Sequence, residues 1–323
     1  MSVIDTTTSA TNLTRKAGLD EIFFSEYEFA TQPGHVGADN SLFFKQDTTS
    51  WGFIQGAEYK GPGKYNVVDE DEEVPLSQIK VGNNYTKEVF EYDQDVDIPQ
   101  RYQEDSETYG VINQMVADMG IEGRNSRDQY SFENSWGNPF DATNNPSPDG
   151  AAFVSNSHVL LSGDTQDNLE TGALTPDNLK ILVRKGRLMK SHAGTRAGYG
   201  ADGLLCPVIL HPTATEITKS ELEADTMDNQ LNYFSQIYPG MVVGSSEYLD
   251  SDYNTLNSNA NTTYFVMSRR HGVKRAVRVA ISTDYVAPEL SRKRTAYYRA
   301  RFRERTYLSN SGLGVQGSNG TTA

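Results

Sequence analysis

Cysteine is almost absent from this 323-residue chain, and the one that occurs, Cys206, excludes a disulfide framework and a cysteine-built metal site. Cys206 sits in the apolar run LLCPVIL, where a small buried hydrophobe is the expected reading. Apolar residues are also scarce, at 37%. No run approaches the roughly 18–20 apolar residues that a membrane span requires. The first residues, MSVIDTTTSATNLTRKAG, contain no apolar stretch of the signal-peptide kind, so the expectation is a protein made and assembled in a cytoplasm, with no membrane partner. Positive charge is in deficit, with 29 Lys and Arg against 43 Asp and Glu. That balance argues against a general nucleic-acid binder, which needs clustered cations to displace counterions.

Catalytic signatures are missing too. GxxxxGK[ST], GxSxG and HExxH do not occur. A GxGxxG match at Gly198–Gly203 follows a helix and precedes a strand, the reverse of the dinucleotide-binding order, and reads as a linker. The histidines His35, His158, His192, His211 and His271 are scattered, with no pair at helical spacing, and read as packed or surface residues. The acidic run Asp69, Glu70, Asp71, Glu72 and Glu73 lacks the spacing of a calcium loop and reads as an exposed ribbon tip. No enzyme, metal or cofactor is expected.

What the chain does have is aromatic polar surface and uneven charge. Eighteen tyrosines suit wet interfaces, where a ring buries area while its hydroxyl stays hydrogen-bonded. Residues 267–305 hold twelve Lys/Arg against three Asp/Glu, and residues 51–107 hold fourteen acids against five bases. The expectation is that one segment docks on the other in a neighbouring copy, with Arg299, Arg301 and Arg303 meeting the acidic residues.

The pattern along the chain is α+β. Residues 1–20 are polar and read as an extended arm ordered by a partner. Residues 51–100 alternate as a two-stranded excursion with a Gly61-Pro62-Gly63 turn. Such a ribbon is marginal alone and must lie on something. A ribbon packed wholly on its own body would argue against a self-assembling subunit. Ile112, Met115, Val116 and Met119 predict a helix over 105–119, weakened at Gly120 and Gly123, with a second short helix after it. Thr175-Pro176-Asp177 opens another helix, to about Lys190. Strands are expected over 204–212, 238–249, 262–270, 276–286 and 295–308, with a helix over 213–224. The Gly/Ser/Asn-rich residues 309–323 read as a flexible tail.

Four stretches resemble a known family. Asp149-Gly150-Ala-Ala-Phe153-Val-Ser155-Asn-Ser-His158, followed by Asn168 and Leu174-Thr175-Pro176, is similar to a stretch of the major capsid proteins of tailed bacteriophages. So are CPVILHPTATEI and the closing segments YFVMSRRHGVKRAVRV and YYRARFRERTYL. The resemblance implies the α+β Hong Kong 97 (HK97)-like fold, with arm 1–50, extended loop 51–100, spine helix and peripheral domain over 101–200 and 272–308, and axial domain 201–271. It implies a shell subunit whose partners are copies of itself in pentamers and hexamers, portal, scaffolding or decoration proteins, and packaged double-stranded DNA. An encapsulin-like compartment shares the fold and remains the alternative.

Overall fold

The structure is a computed structural model and describes residues 6–29, 35–70, 73, 76, 80–99, 106–143, 145–222, 231–286 and 295–320. Two helices and a four-stranded sheet form one half of the core. Helix α1 spans Thr6–Phe29 and helix α2 spans Ser106–Glu133. Strands β1 (Lys45–Thr48), β4 (Phe90–Pro99), β11 (Val273–Val286) and β12 (Thr295–Leu308) lie in the order β1-β11-β12-β4.

The expected extended arm is therefore a helix. Its cause is a stripe that the polar composition hides: Leu19, Phe23 and Tyr27, four residues apart, are all buried. They pack with Ile112, Val116 and Met119 of α2 and with Val96, Ile98 and Tyr298 of the sheet. Met115, by contrast, is 45% exposed and stands off that face. The glycines of α2 do not interrupt it either. A Cβ at Gly120 would lie 2.5 Å from the Phe23 carbonyl oxygen, and one at Gly123 3.7 Å from the Phe23 ring. Helix α1 crosses α2 there: Gly120 permits a close backbone approach, Gly123 faces side chains at ordinary contact distance, and neither marks a break. The second short helix expected after residue 123 is the continuation of α2.

The other half is a five-stranded sheet, in the order β7 (Leu169–Glu170), β13 (Val315–Ser318), β10 (Tyr264–Met267), β8 (Gly203–Pro207) and β9 (Val242–Ser246). Helix α3 (Pro176–Leu188) packs on it through Leu179, Leu182 and Val183. The Thr175 hydroxyl caps that helix by accepting from the Asn178 N–H at 3.3 Å. Cys206 is fully buried in β8. The apolar run turns after Pro207, and helix α4 begins at His211 (His211–Lys219); the one-turn helix α5 is Tyr233–Ile237. A short hairpin, β5 (His158–Val159) with β6 (Thr165–Gln166), lies to one side.

The expectation of a flexible tail after Leu308 is overturned over the described residues 309–320. Strand β13 sits inside the sheet between β10 and β7, with Val315 and Ser318 fully buried. The glycines that make this segment look like a linker are structural. Gly312 and Gly314 have φ of +67° and +80°, and a Cβ on Gly317 would meet the Phe265 ring at 2.8 Å.

The ribbon is β2 (Phe53–Lys60) paired with β3 (Lys80–Glu88). Its stem rests on its own chain, where Ile54 and Val89 pack with Ala276 and Tyr307. Residues 61–70 beyond the stem leave large side chains in solvent: Tyr65 is 98% exposed and Val67 94%. The ribbon is thus completed by its own body at the base, while at the tip Tyr65, Val67 and Leu76 are left in solvent.

Candidate intersubunit surface

The basic strand β12 finds its acidic partner in the same chain. Strand β4 pairs beside it antiparallel, and the register sets Arg299 opposite Asp95, Arg301 opposite Asp93 and Arg303 opposite Glu91. Arg299 donates to both Asp95 carboxylate oxygens, at 2.7 and 3.0 Å, and lies 3.4 Å from Asp93. Arg303 donates to Glu91, and Arg301 stands 3.9 Å from it. The Arg303 guanidinium holds the Glu91 carboxyl below the usual carboxylate range. The expectation set these arginines against an acidic neighbour; within one chain they already face acids of the same sheet, in cross-strand pairs that composition cannot assign to one chain or two.

The acidic tip is different. Asp69, Glu70 and Glu73 are exposed, and among the described residues they make no ion pair. Asp71 and Glu72 lie outside the described residues. Tyr65, Val67 and Leu76 flank this run, each more than nine-tenths exposed. Apolar side chains beside unpaired acids, on a two-stranded ribbon, form a surface that gains from covering.

Three polar clusters brace the body under the tip. The first explains the Asp149–His158 stretch. His158, fully buried, lies 2.7 Å from Asp149, whose carboxyl burial pushes up while the histidine draws it lower, to a net value below the ordinary range. Asn168, also fully buried, donates to the carbonyls of Phe153, Gly312 and Val315 at 3.0, 3.2 and 3.2 Å, and accepts from the Ser155 N–H at 2.7 Å. One side chain thus ties the loop after α2 to the C-terminal strand.

The second cluster ties down the ribbon. Glu58 on β2 is 4% exposed. It accepts from the Ser311 N–H at 2.6 Å, the Ser311 hydroxyl at 2.8 Å and Asn83 at 3.0 Å, and His192 stands 3.2 Å away. Asn83 is on the partner strand; Ser311 and His192 belong to the body.

The third cluster joins the two sheets through α2. Asp39 takes Arg275 at 3.0 Å and also pairs with Arg127. Arg275 pairs with Glu304, which lies 3.6 Å from Arg127. Asp128 accepts from the Ala38 N–H at 2.7 Å and from Arg124 at 3.1 Å. His35 stands 3.5 Å from Asp128 and 2.6 Å from Glu247, a close charge contact. Buried networks of this kind specify one arrangement more than they add stability. His271 is separate: burial pushes it down to about 4, and its Nε2 lies 2.7 Å from the Leu42 carbonyl oxygen. None of Glu58, Asp39, Arg127 or Glu304 stands out in the sequence, because their partners lie up to 253 positions away.

No protein-family model and no curated protein matches the sequence. Solved structures do match the fold. Over 90% of its length the chain superposes on 94% of a chain from the capsid of Myoviridae phage XM1, with a TM-score of 0.53 and 9% identity. The fold is the Hong Kong 97-like capsid fold. The capsid of the native GTA particle matches it with a TM-score of 0.52 at 15% identity, covering 90% of this chain and 92% of that one. The virus-like particle from Pyrococcus furiosus matches at 0.52 and 8% identity, covering 94% and 98%. No described helix is long and apolar enough to cross a membrane.

Proposed function

We propose that this chain is the major capsid protein of a tailed phage, a non-catalytic subunit that assembles with copies of itself into an icosahedral shell around double-stranded DNA. The observation that carries the reading is a capsid fold over nine-tenths of the chain whose ribbon tip is left uncovered. A shell needs contacts in which one surface of a subunit meets a different surface of the next, because such contacts propagate into rings and lattices. A ribbon anchored at its stem and bare at its tip is suited to be one half of such a contact.

In this reading residues 201–271 form the axial domain, 101–200 and 272–308 the peripheral domain and 51–100 the extended loop. Residues 1–50 form the arm, helical over Thr6–Phe29, and Val315–Ser318 belong to the sheet. Portal, scaffolding and decoration proteins are the further partners, DNA lies against the inner face, and the protein resides in the virion. Matched arginines on β12 make that strand a poor DNA contact.

Electron microscopy of the expressed protein tests the reading. Closed particles of uniform size are expected, with DNA inside when they come from infected cells. A chain that stays monomeric at high concentration would overturn it, and particles filled with a cargo enzyme would turn it into the compartment alternative.

A further inference from the structure

The chain has two tryptophans, and the fold treats them oppositely. Trp136 is fully buried, whereas Trp51 is 70% exposed. Trp51 is nevertheless not on a loose loop. The Thr49 N–H donates to the Val277 carbonyl at 3.1 Å, the Trp51 N–H to the Thr49 hydroxyl at 3.2 Å, and the Val89 N–H to the Gly52 carbonyl at 2.9 Å. The turn between β1 and β2 is thus pinned at three points while its indole forgoes the burial a large ring normally gains. Trp51 lines a hollow of about 610 Å³ together with Phe53, Tyr85 and Tyr307. That volume falls among those of small-molecule sites, roughly 300–1,000 Å³.

Polar groups of both signs stand around the rings. Asp47, Gln55 and Lys274 line the same hollow. Asp47 and Lys274 lie 4.0 Å apart, so their charges offset one another. The Tyr307 hydroxyl donates to Asp47 at 3.1 Å and helps to fix that carboxylate. Gln55 is exposed, and its amide has no partner among the described residues. Asp47 accepts, Lys274 donates and Gln55 does both. An acidic peptide or a nucleic acid would call for cations alone, and a purely apolar ligand would leave these polar groups unpaired. A sugar ring meets both demands. Its C–H face, polarised by the neighbouring oxygens, suits the negative face of an aromatic ring, and each hydroxyl on its edge both donates and accepts. We propose that this hollow binds a neutral glycan, with a sugar ring against Trp51 and Phe53 and its hydroxyls on Asp47, Gln55 and Lys274. The site goes beyond shell building and does not depend on it.

Intrinsic tryptophan emission tests the site, because Trp51 faces solvent and Trp136 does not. The purified full chain is titrated with maltose, cellobiose, lactose and chitobiose, and at least one should give a saturable blue shift. Gln55→Ala should weaken that binding about fivefold, the loss of one hydrogen bond. Trp51→Ala removes the reporter with the ring, so its binding is read by saturation-transfer NMR, while unchanged Trp136 emission verifies its fold. The sugar signals should vanish in Trp51→Ala and persist in Tyr253→Ala, a ring exposed elsewhere that does not line the hollow. No saturable response to any of the four sugars would overturn the proposal, as would equal binding by Trp51→Ala. A shift with a poly-aspartate peptide and none with the sugars would assign the hollow to a charged chain and overturn it as well.

Discussion

Alanine at Gly110 and alanine at Gly120 remove the same backbone freedom from the same helix, yet they should act in opposite directions. Nothing lies within 4 Å of a Cβ at Gly110, so Gly110→Ala should gain the ordinary helix-propensity difference, about 0.5–1 kcal/mol. At Gly120 the added Cβ meets the Phe23 backbone, which has no rotamer to yield, and the cost should be about 1–3 kcal/mol net. Urea denaturation of the two variants reads both signs. A gain from Gly120→Ala would mean that α1 does not lie on α2 as described. The same contrast explains why glycine misleads at this scale. A glycine that weakens a helix and one that admits a neighbouring backbone are the same letter, and only the atom facing it separates them. Asn168 is the converse case: it stands in a stretch that resembles a family motif, and its use is visible only where three carbonyls converge on its amide.

The ribbon behaves as an element with two ends of different character. Its stem is held by Glu58. Burial pushes that carboxyl up, but the contact with His192 and hydrogen bonds from Ser311 and Asn83 outweigh it and leave it below the ordinary glutamate range. A carboxyl depressed by folding adds stability above its unfolded value of about 4.3 and loses it as pH falls through the folded value. Amide exchange in β2 and β3, corrected for intrinsic rates, should therefore accelerate relative to β11 and β12 as the solution is acidified below about 4. Glu58→Gln should already show the faster ribbon exchange at neutral pH; an unchanged ribbon would rule out Glu58 as its anchor. Element boundaries were legible where period and punctuation agreed. Thr175-Pro176 marks the start of α3, and strict alternation marks β12 over the residues expected. Helix α1 and strand β13 were not, because polar threonines hide one apolar stripe and glycines disguise a buried strand as a tail.

At the scale of the whole molecule, the two sheets are joined through α2 by the charged cluster around Asp39 and Asp128. His35 reports on it. Burial lowers its affinity for a proton, but Asp128 and Glu247 together raise it, to about 9. A histidine raised above its unfolded value of about 6.5 contributes fully below that pH and loses its contribution as pH rises through about 9. The thermal midpoint of the unassembled chain should fall across that interval, and His35→Gln should flatten the fall. An identical slope in the variant would remove His35 as its source. By itself the sequence determined the class of the chain. Scarce apolar residues, strong alternation in the closing strands, two capped or striped helices and the absence of catalytic spacing are local properties that survive without coordinates. Only the tertiary structure decided which charges meet. Acidic and basic segments attract one another whether they belong to one chain or two, and the β4–β12 register is what sets Arg299, Arg301 and Arg303 beside acids of their own chain.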